Sequence, residues 1–565
     1  MTLAAVLGVI GGGSAIAFRE AIDLFQLNIL GFASGDEDLL AKTPWTRIML
    51  ATTGGGLLVG LCIHFLVPGR RIHSVSEVVE AATFQGGKIN LRTGLTSAVV
   101  SALSLGAGAS AGREGPVVHL GATLSAFIAD KLKLGRSLGR TLLGCGVAAT
   151  VAASFNAPIA GVFFALEVVI GHYTLRAFSP IVIASVTGTI VSRAYFGDFP
   201  AFTELEYHVV SFLEFPAFAL LGLVSAIVAT IFLRSIAVTQ YAVRHSPIPP
   251  WLRPACAGLM VGLIALAYPQ VLGVGYEATD QALNQQLAFS MLFALLIAKI
   301  AATSISIGLG FGAGVFSPSL FIGAMLGGAF GIVATLAFPD LSSGHGAYTI
   351  VGMGAVAGAV LGAPISTILM VFELTGDYSI TVAVMIATVI ASTVTQHLYG
   401  HSFFTWQLAK RGLDPKHGGE HQLLRSTRVR DVMEQDFETV DPAAAMREVR
   451  EKLQRSHHGE LFVVDQQGAL HGTITLPDLS ESAFDTSMDA LLNAEDVSRL
   501  HPPVLEPHDM LEKAMRRMDA VHEEQIAVVR NTTSMEVVGV ARQVAVMNAY
   551  NKAIMTAHAA ERGED

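Results

Sequence analysis

Through its first 412 residues the chain is a succession of apolar runs, and most are too short to cross a bilayer as straight helices. Runs at 3–30, 48–67, 211–234 and 287–308 reach the ~20 residues that a straight crossing needs. Those at 95–105, 117–129, 180–195, 255–267, 348–361, 364–374 and 380–395 fall short, and the run at 142–170 is broken at 154–158. In hydrocarbon every backbone polar group must be satisfied internally, so short and broken helices are tolerated only around a site enclosed by protein. The composition agrees: 52% of residues are hydrophobic and only 15% are charged, where a soluble chain carries about a quarter charged. Mean hydropathy is +0.53. The 56 glycines and 21 prolines fit membrane helices that are broken or closely packed. This part of the chain reads as an all-α polytopic membrane protein.

Residues 1–18 are apolar from the start, without a basic leader or a small-residue cleavage site, and read as the first membrane helix. The segment 74–83, which contains Glu77 and Glu80, is too short and too polar to span. The loop carrying Lys131, Lys133, Arg136 and Arg140 is basic, and basic loops tend to be cytoplasmic. Cys62, Cys145 and Cys256 lie in apolar segments without paired or metal-like spacing, so they read as buried small hydrophobes. A net charge of −10 gives no reason to invoke nucleic acid. No metal-ligand spacing or nucleophile–base pair stands out, so the chain reads neither as an enzyme nor as a metal protein.

Two motifs recur in the same order. Gly108-Ala-Ser-Ala-Gly-Arg-Glu-Gly-Pro116 is echoed by Gly310-Phe-Gly-Ala-Gly-Val-Phe-Ser-Pro318 within the glycine-rich region 308–331. Asn156-Ala157-Pro158 with Glu167 is echoed by Gly362-Ala363-Pro364 with Glu373, nine residues from proline to glutamate in both. Repeated halves built from broken helices place a site where the halves meet. The first motif puts Arg113 and Glu114 in a glycine-rich break between apolar segments. A charge there costs roughly 2.5–3.5 kcal/mol and marks function. Pro116 and Pro318 suit a first helical turn, and the exposed N–H groups at such helix starts favour an anion. Partial charge of this kind holds an anion weakly enough to release it, which a lysine would not. Glu114 therefore stands out as the one strongly motivated ionisable group.

Beyond Lys410, Arg411 and Gly412 the composition changes. Residues 413–426 read as a linker, and 427–565 as a soluble α/β module in two similar halves, 427–488 and 489–565. Each half carries a helix, a β run (460–465 and 525–530) and a further strand (470–479 and 537–541).

These residues resemble the CLC family of chloride channels and chloride/proton exchangers over nearly the whole chain. Gly112-Arg-Glu-Gly-Pro116 is similar to the signature that carries the family's gating glutamate, and Gly314-Val-Phe-Ser-Pro318 to its second signature. Ser154-Phe-Asn-Ala-Pro158 and Glu373-Leu-Thr-Gly-Asp-Tyr378 add supporting matches, and the tail resembles the tandem CBS domains of many members. The resemblance implies two inverted repeats of broken helices and a homodimer, formed through the membrane domain and the CBS module, with one anion path per subunit. Chloride would be the transported ion, with protons as partner and no cofactor required. The protein would sit in the lipid bilayer, as an integral multi-pass protein of a prokaryotic inner membrane, with its tail in the cytoplasm. Glu114 would be the gate, and Arg113, Gly115, Val315 and Phe316 would line the path.

Three departures bear on mechanism. The family's first signature corresponds to Ile72-His-Ser-Val-Ser-Glu77, which lacks its glycines and proline. The serine that contacts the middle anion falls on His73, with Ser74 beside it, and a neutral imidazole could donate an N–H there. The tyrosine that contacts the same anion falls on Phe404, which cannot donate, so the central site should be weaker or built differently. The inner proton-passing glutamate of exchangers falls on Val168, which carries no proton. The expectation is thus a channel-like or weakly proton-coupled conductor gated by Glu114. A chloride/proton antiporter with another inner proton route is the alternative. In the tail, Thr475 and Asp478 occupy the places that hold adenine-nucleotide ribose in CBS domains, whereas Gly539, Arg542 and Ala545 stand in the second half. One nucleotide site, and with it a nucleotide-sensing role, is a third reading beside a purely structural, dimerising module.

Overall fold

The computed structural model describes residues 1–31, 43–173, 175–197, 209–413, 427–479, 489 and 491–562. The linker expected at 413–426 lies outside the described residues except for Leu413, as do residues 480–488 of the first tail half. The chain forms two compact units, Met1–Lys416 and His417–Asp565.

The first unit opens with eight helices: α1 (Thr2–Ile29), α2 (Trp45–Leu66), α3 (Val75–Phe84), α4 (Leu91–Gly106), α5 (Glu114–Lys131), α6 (Arg136–Phe155), α7 (Pro158–Phe164) and α8 (Leu175–Phe196). Eight more answer them in order: α9 (Phe215–Arg244), α10 (Arg253–Ala267), α11 (Tyr276–Leu283), α12 (Phe289–Gly308), α13 (Phe316–Ala337), α14 (His345–Leu361), α15 (Pro364–Thr375) and α16 (Tyr378–Tyr399). A short α17 (Phe403–Ala409) closes the unit. Helices α3 and α11 stand at matching places, as do α5 with α13 and α7 with α15. Among the described residues, eight helical stretches are long and apolar enough to cross a membrane, while α7, α10, α14 and α15 are apolar but shorter.

The broken helices end where the sequence says they must. Asn156 and Gly362 take the left-handed conformation after α6 and α14 (φ 57° and 68°), and a proline then restarts each chain as α7 or α15. After α7 the helix loosens into a π turn, Ala165–Ile170. Inside the unit, α13 and α14 pack backbone to backbone: a Cβ on Gly323 would lie 2.4 Å from the Gly352 carbonyl oxygen. Small residues allow this approach where lipid gives no hydrophobic drive to helix association. Cys145 is buried, but Cys62 and Cys256 are only half-buried against an apolar cluster, and all three are free thiols.

The second unit is α/β. Its first sheet, which reaches past the boundary expected at 488, runs β1 (Thr439–Val440), α18 (Met446–Arg455), β2 (Glu460–Val464), β3 (Leu470–Thr475) and β4 (Arg499–Leu500), and its second half β5 (Val504–Leu505), α19 (Leu511–Val521), β6 (Gln525–Val529), β7 (Val537–Arg542) and α20 (Gln543–Arg562). β1 pairs parallel with β2 and β5 with β6; β2 pairs antiparallel with β3 and β6 with β7, each with a register shift at the last valine of the middle strand. Each half has its own core: Met446, Val449, Leu461 and Ile474 in one, and Leu511, Ala514, Ile526 and Ala541 in the other. A shared cluster of Phe462, Leu470, Val504, Ala527 and Val540 joins them.

Candidate anion site

The two repeated motifs meet in space. Gly112 N–H donates to the Gly314 carbonyl at 2.7 Å and Gly314 N–H to the Gly112 carbonyl at 2.8 Å, an antiparallel bridge between the halves. On either side the contacts are again reciprocal. Ser110 N–H donates to Ser306 Oγ (3.1 Å), and Gly312 N–H, at the equivalent place, donates to Ser104 Oγ (3.2 Å). The bridge brings the starts of α5 and α13 together, so two sets of helix-terminal N–H groups share one neighbourhood.

Glu114 begins α5 and is 2% exposed. Its Oε1 accepts a hydrogen bond from the Tyr276 hydroxyl (2.7 Å) and lies 3.8 Å from Arg113 Nε. Its Oε2 is buried and, among the described residues, receives no hydrogen bond. A Cβ on Gly112 would fall 2.8 Å from that oxygen and 3.1 Å from Ser317 N. Oε2 therefore lies beside the first turn of α13. The guanidinium of Arg113 also stacks over the Tyr276 ring, 5.1 Å from its centroid.

Gly115 is pressed between halves: a Cβ there would meet Ser74 Oγ at 2.5 Å and Gly314 Cα at 3.2 Å. Val315 and Phe316 are buried, and the Phe316 ring packs on Phe155 (5.0 Å) and Phe164 (5.9 Å). Arg113, Glu114, Gly115, Ser74, Val315 and Phe316 are thus brought together. Ser74 caps α3, its N–H donating to Glu77 (2.8 Å). His73 is half-buried, its N–H directed at Ser97 Oγ (3.4 Å) and its ring 5.7 Å from that of His119, a buried residue of α5. Phe404 is buried on α17, edge-on to Phe403. That helix is held to α3 by Ser76 with Gln407 (2.6 Å) and by Arg411, which pairs with Glu77 and with Glu80 (3.0 Å). Val168 is half-buried in the π turn.

The proline–glutamate repeat has a clear purpose. Glu167 accepts from Ile365 N (3.1 Å) and Ser366 N (2.8 Å), at the start of α15 in the other half. Glu373 returns the contact, accepting from Ile159 N and Ala160 N at the start of α7, both at 2.8 Å. Each half caps a broken helix of its counterpart.

The expectation that Glu114 alone would stand out as an ionisable group needs correction. Lys299 lies in the middle of α12, fully buried, and donates to the carbonyls of Val271 (3.1 Å) and Gly273 (3.0 Å). Its ammonium also sits 4.9 Å from the Phe321 ring centroid. The sequence held the signal: a lysine in an otherwise uncharged run is costly there and marks function. Expecting the path to exclude lysine hid it. Tyr276 gave a weaker signal, since only the repeat register, which sets it opposite Ser74, brings it forward.

In the tail, Asp478 Oδ2 accepts from Thr475 N (2.8 Å) and Thr475 Oγ1 (2.7 Å), and Arg499 Nε spans both of its oxygens (2.8 and 3.0 Å). Arg499 also reaches Thr475 Oγ1 (2.9 Å) and Glu523 (2.5 Å). Burial pushes the Asp478 carboxyl up, but the bonds from Thr475 and Arg499 outweigh it and hold the group below the ordinary range. The two residues expected to hold ribose are thus satisfied by their own chain.

Comparison with known proteins places this architecture. The model of the voltage gated chloride channel family matches residues 55–396, and that of the CBS domain matches residues 429–484. A ClcB-like chloride channel protein of Ralstonia nicotianae is 32% identical over 404 residues, which cover 71% of this chain and 94% of the relative. Among solved structures, a slow cyanobacterial Cl−/H+ antiporter shares 25% identity with a TM-score of 0.66, covering 73% of this chain and 97% of its own. A eukaryotic CLC transporter, 19% identical, shares the fold with a TM-score of 0.62, over 96% of this chain and 97% of its own. The chain is a multi-pass membrane protein of the CLC family, the voltage-gated chloride channels and their transporter relatives, with a C-terminal CBS module.

Proposed function

We propose that the protein conducts chloride along a path in each subunit of a homodimer, closed by Glu114, and that it is channel-like or only weakly coupled to protons. The observation that carries this reading is the seat of the Glu114 carboxylate. It lies where the two halves meet, beside the first turn of α13, with Oε2 buried and lacking a donor among the described residues. A buried carboxylate oxygen without a donor is costly, and a chloride has the same sign and seeks the same helix-start N–H groups. The side chain thus competes with the ion, and protonation or a rise in chloride displaces it. Arg113, Gly115, Ser74, Val315 and Phe316 line the path around it, and His73 and Phe404 flank the inner end. Val168, behind the gate, offers no group to relay a proton inward.

The second reading, a chloride/proton antiporter, draws support from the similar solved structure described as a Cl−/H+ antiporter. It requires an inner proton route that bypasses Val168. Chloride flux from proteoliposomes with simultaneous proton recording separates the two. Dissipative chloride movement with little proton movement is expected, and uphill proton movement in fixed ratio to chloride overturns the channel-like reading. On the antiporter reading, Glu114→Gln abolishes proton movement and leaves anion movement.

For the tail we propose a cytoplasmic, structural role on the inner membrane of a prokaryotic cell. Adenine nucleotide would reach Thr475 and Asp478 only by displacing Arg499. Addition of AMP or ATP to the full-length protein should leave the melting temperature of the tail unchanged, and a rise of several degrees would restore the nucleotide-sensing reading.

A further inference from the structure

The loop between α10 and α11 is fixed from behind by a buried lysine. Lys299 Nζ holds the Val271 and Gly273 carbonyls, and the Gly273 carbonyl also accepts from Ala111 N (3.3 Å) in the motif loop of the other half. Two residues later Gly275 turns through positive φ (87°), and Tyr276 opens α11 with its hydroxyl on Glu114. The register that sets Gly112 opposite Gly314 sets Lys299 opposite Ser97, and Tyr276 opposite Ser74. Ser97 does for the first half what Lys299 does for the second, holding the loop before the short helix, through His73 N. In the second half the strap is a lysine amine buried among apolar neighbours, and its donors meet carbonyl oxygens of this one loop. An ammonium left in that place without those carbonyls would be far more costly than a serine hydroxyl. The lysine thus makes the loop position much less negotiable.

Resting on the reading of Glu114 as gate, we infer that Tyr276 is the latch that holds the gate shut and that Lys299 is the positioning residue that keeps the latch in reach. The Tyr276 hydroxyl is the one hydrogen-bond donor to the seated carboxylate among the described contacts, and it also lies 3.4 Å from Ser317 Oγ at the start of α13. Arg113 stands at 3.8 Å on its own loop, and Arg19 of α1 lines one small cavity with Arg113. His119, further along α5, packs against His73. Lys299 stands behind the latch. A hydrogen bond to a charged acceptor favours the ionised, seated form. Without it the gate is released more easily, so chloride flux turns on at higher pH.

The test is chloride efflux from proteoliposomes as a function of pH for the wild type, Glu114→Gln, Tyr276→Phe, Lys299→Met, Lys299→Arg and the Tyr276→Phe/Lys299→Met pair. Loss of one charge-assisted hydrogen bond moves the half-activation pH upward by about one to two units in Tyr276→Phe. Lys299→Met moves it the same way, and the double variant goes no further than Tyr276→Phe alone. Lys299→Arg keeps several N–H donors in a bulkier group, and its midpoint falls between those of the wild type and Lys299→Met. Flux from Glu114→Gln is independent of pH. A wild-type midpoint in Tyr276→Phe overturns the latch, whether or not Lys299→Met can be purified. A Lys299→Met shift that persists in full on the Tyr276→Phe background overturns the strap. If Glu114→Gln keeps the wild-type pH profile, the gate itself is elsewhere and the latch falls with it. That outcome is distinct from a pH-independent Glu114→Gln with an unshifted Tyr276→Phe, which removes the latch alone.

Discussion

Single atoms decide how closely the halves approach at the bridge. Gly115 has no room for a methyl group, since Ser74 Oγ would stand 2.5 Å from it and the Gly314 backbone 3.2 Å. Gly115→Ala must push Ser74 or the motif loop aside, and overpacking of this kind costs about 1–3 kcal/mol. The expected result is a protein that still inserts and purifies while its chloride efflux falls at least ten-fold; efflux within two-fold of wild type would show that Gly115 is not pressed against the path. A second residue-scale expectation concerns pH in the tail. Glu460 on β2 is buried, and burial, aided by the nearby negative charge of Glu523, pushes its carboxyl up to about 7. A carboxyl whose folded value is raised stabilises the fold only while protonated. Its contribution is complete below the unfolded value near 4.5 and is lost as pH rises through about 7. Glu460→Gln therefore strengthens the tail at pH 8, by about 1–3 kcal/mol, and not at pH 4. Hydrogen exchange of the β2 and β3 amides in the full-length protein, corrected for intrinsic rates, reads this directly. Equal protection in wild type and variant at pH 8 would count against it.

At the scale of elements, the broken helices are held by exchange. Helix α7 begins under Glu373 of the second half, and α15 under Glu167 of the first. A carboxylate at a helix start satisfies orphan N–H groups and opposes the positive end of the dipole. Glu373→Ala leaves Ile159 and Ala160 N–H without that acceptor, a loss of about 1–3 kcal/mol. A thermal scan in detergent should show the membrane unit melting several degrees lower in Glu373→Ala, and less so in Glu373→Gln, which keeps one acceptor oxygen. If the two variants melt together at the wild-type temperature, the carboxylate does not carry the helix start. The nine-residue interval from proline to glutamate was plain in the sequence, but its purpose was not. The partner of each carboxylate lies some two hundred residues away, and nothing local to Glu167 or Glu373 points to it.

For the whole molecule, what was legible followed from pattern. Apolar runs, the recurrence of Gly112-to-Pro116 as Gly314-to-Pro318, and the change of composition after Lys410 located the repeats, the meeting loops and the tail. Lys299 was visible as a lone charge in an apolar run, but its role, like that of Tyr276, depends on a loop that only folding brings to Glu114, and Arg499 escaped because it reaches Asp478 across strands. The two units have separate cores: buried clusters built from membrane helices in one, and three small α/β clusters in the other. Arg411, which ties α17 to Glu77 and Glu80, belongs to the first unit. The clamp therefore does not need the tail. A chain ending at residue 416 should insert, purify as a folded protein and pass chloride at a rate within a few-fold of the full-length chain, with an unshifted half-activation pH. Arg411→Ala should then reduce flux to a similar degree in both backgrounds, because α17 and the loop bearing His73 and Ser74 lose the same pairing in each. Efflux measured side by side in liposomes checks both points. A truncated chain that folds but no longer conducts, or an Arg411→Ala effect confined to the full-length chain, would mean that the tail completes the inner end of the path.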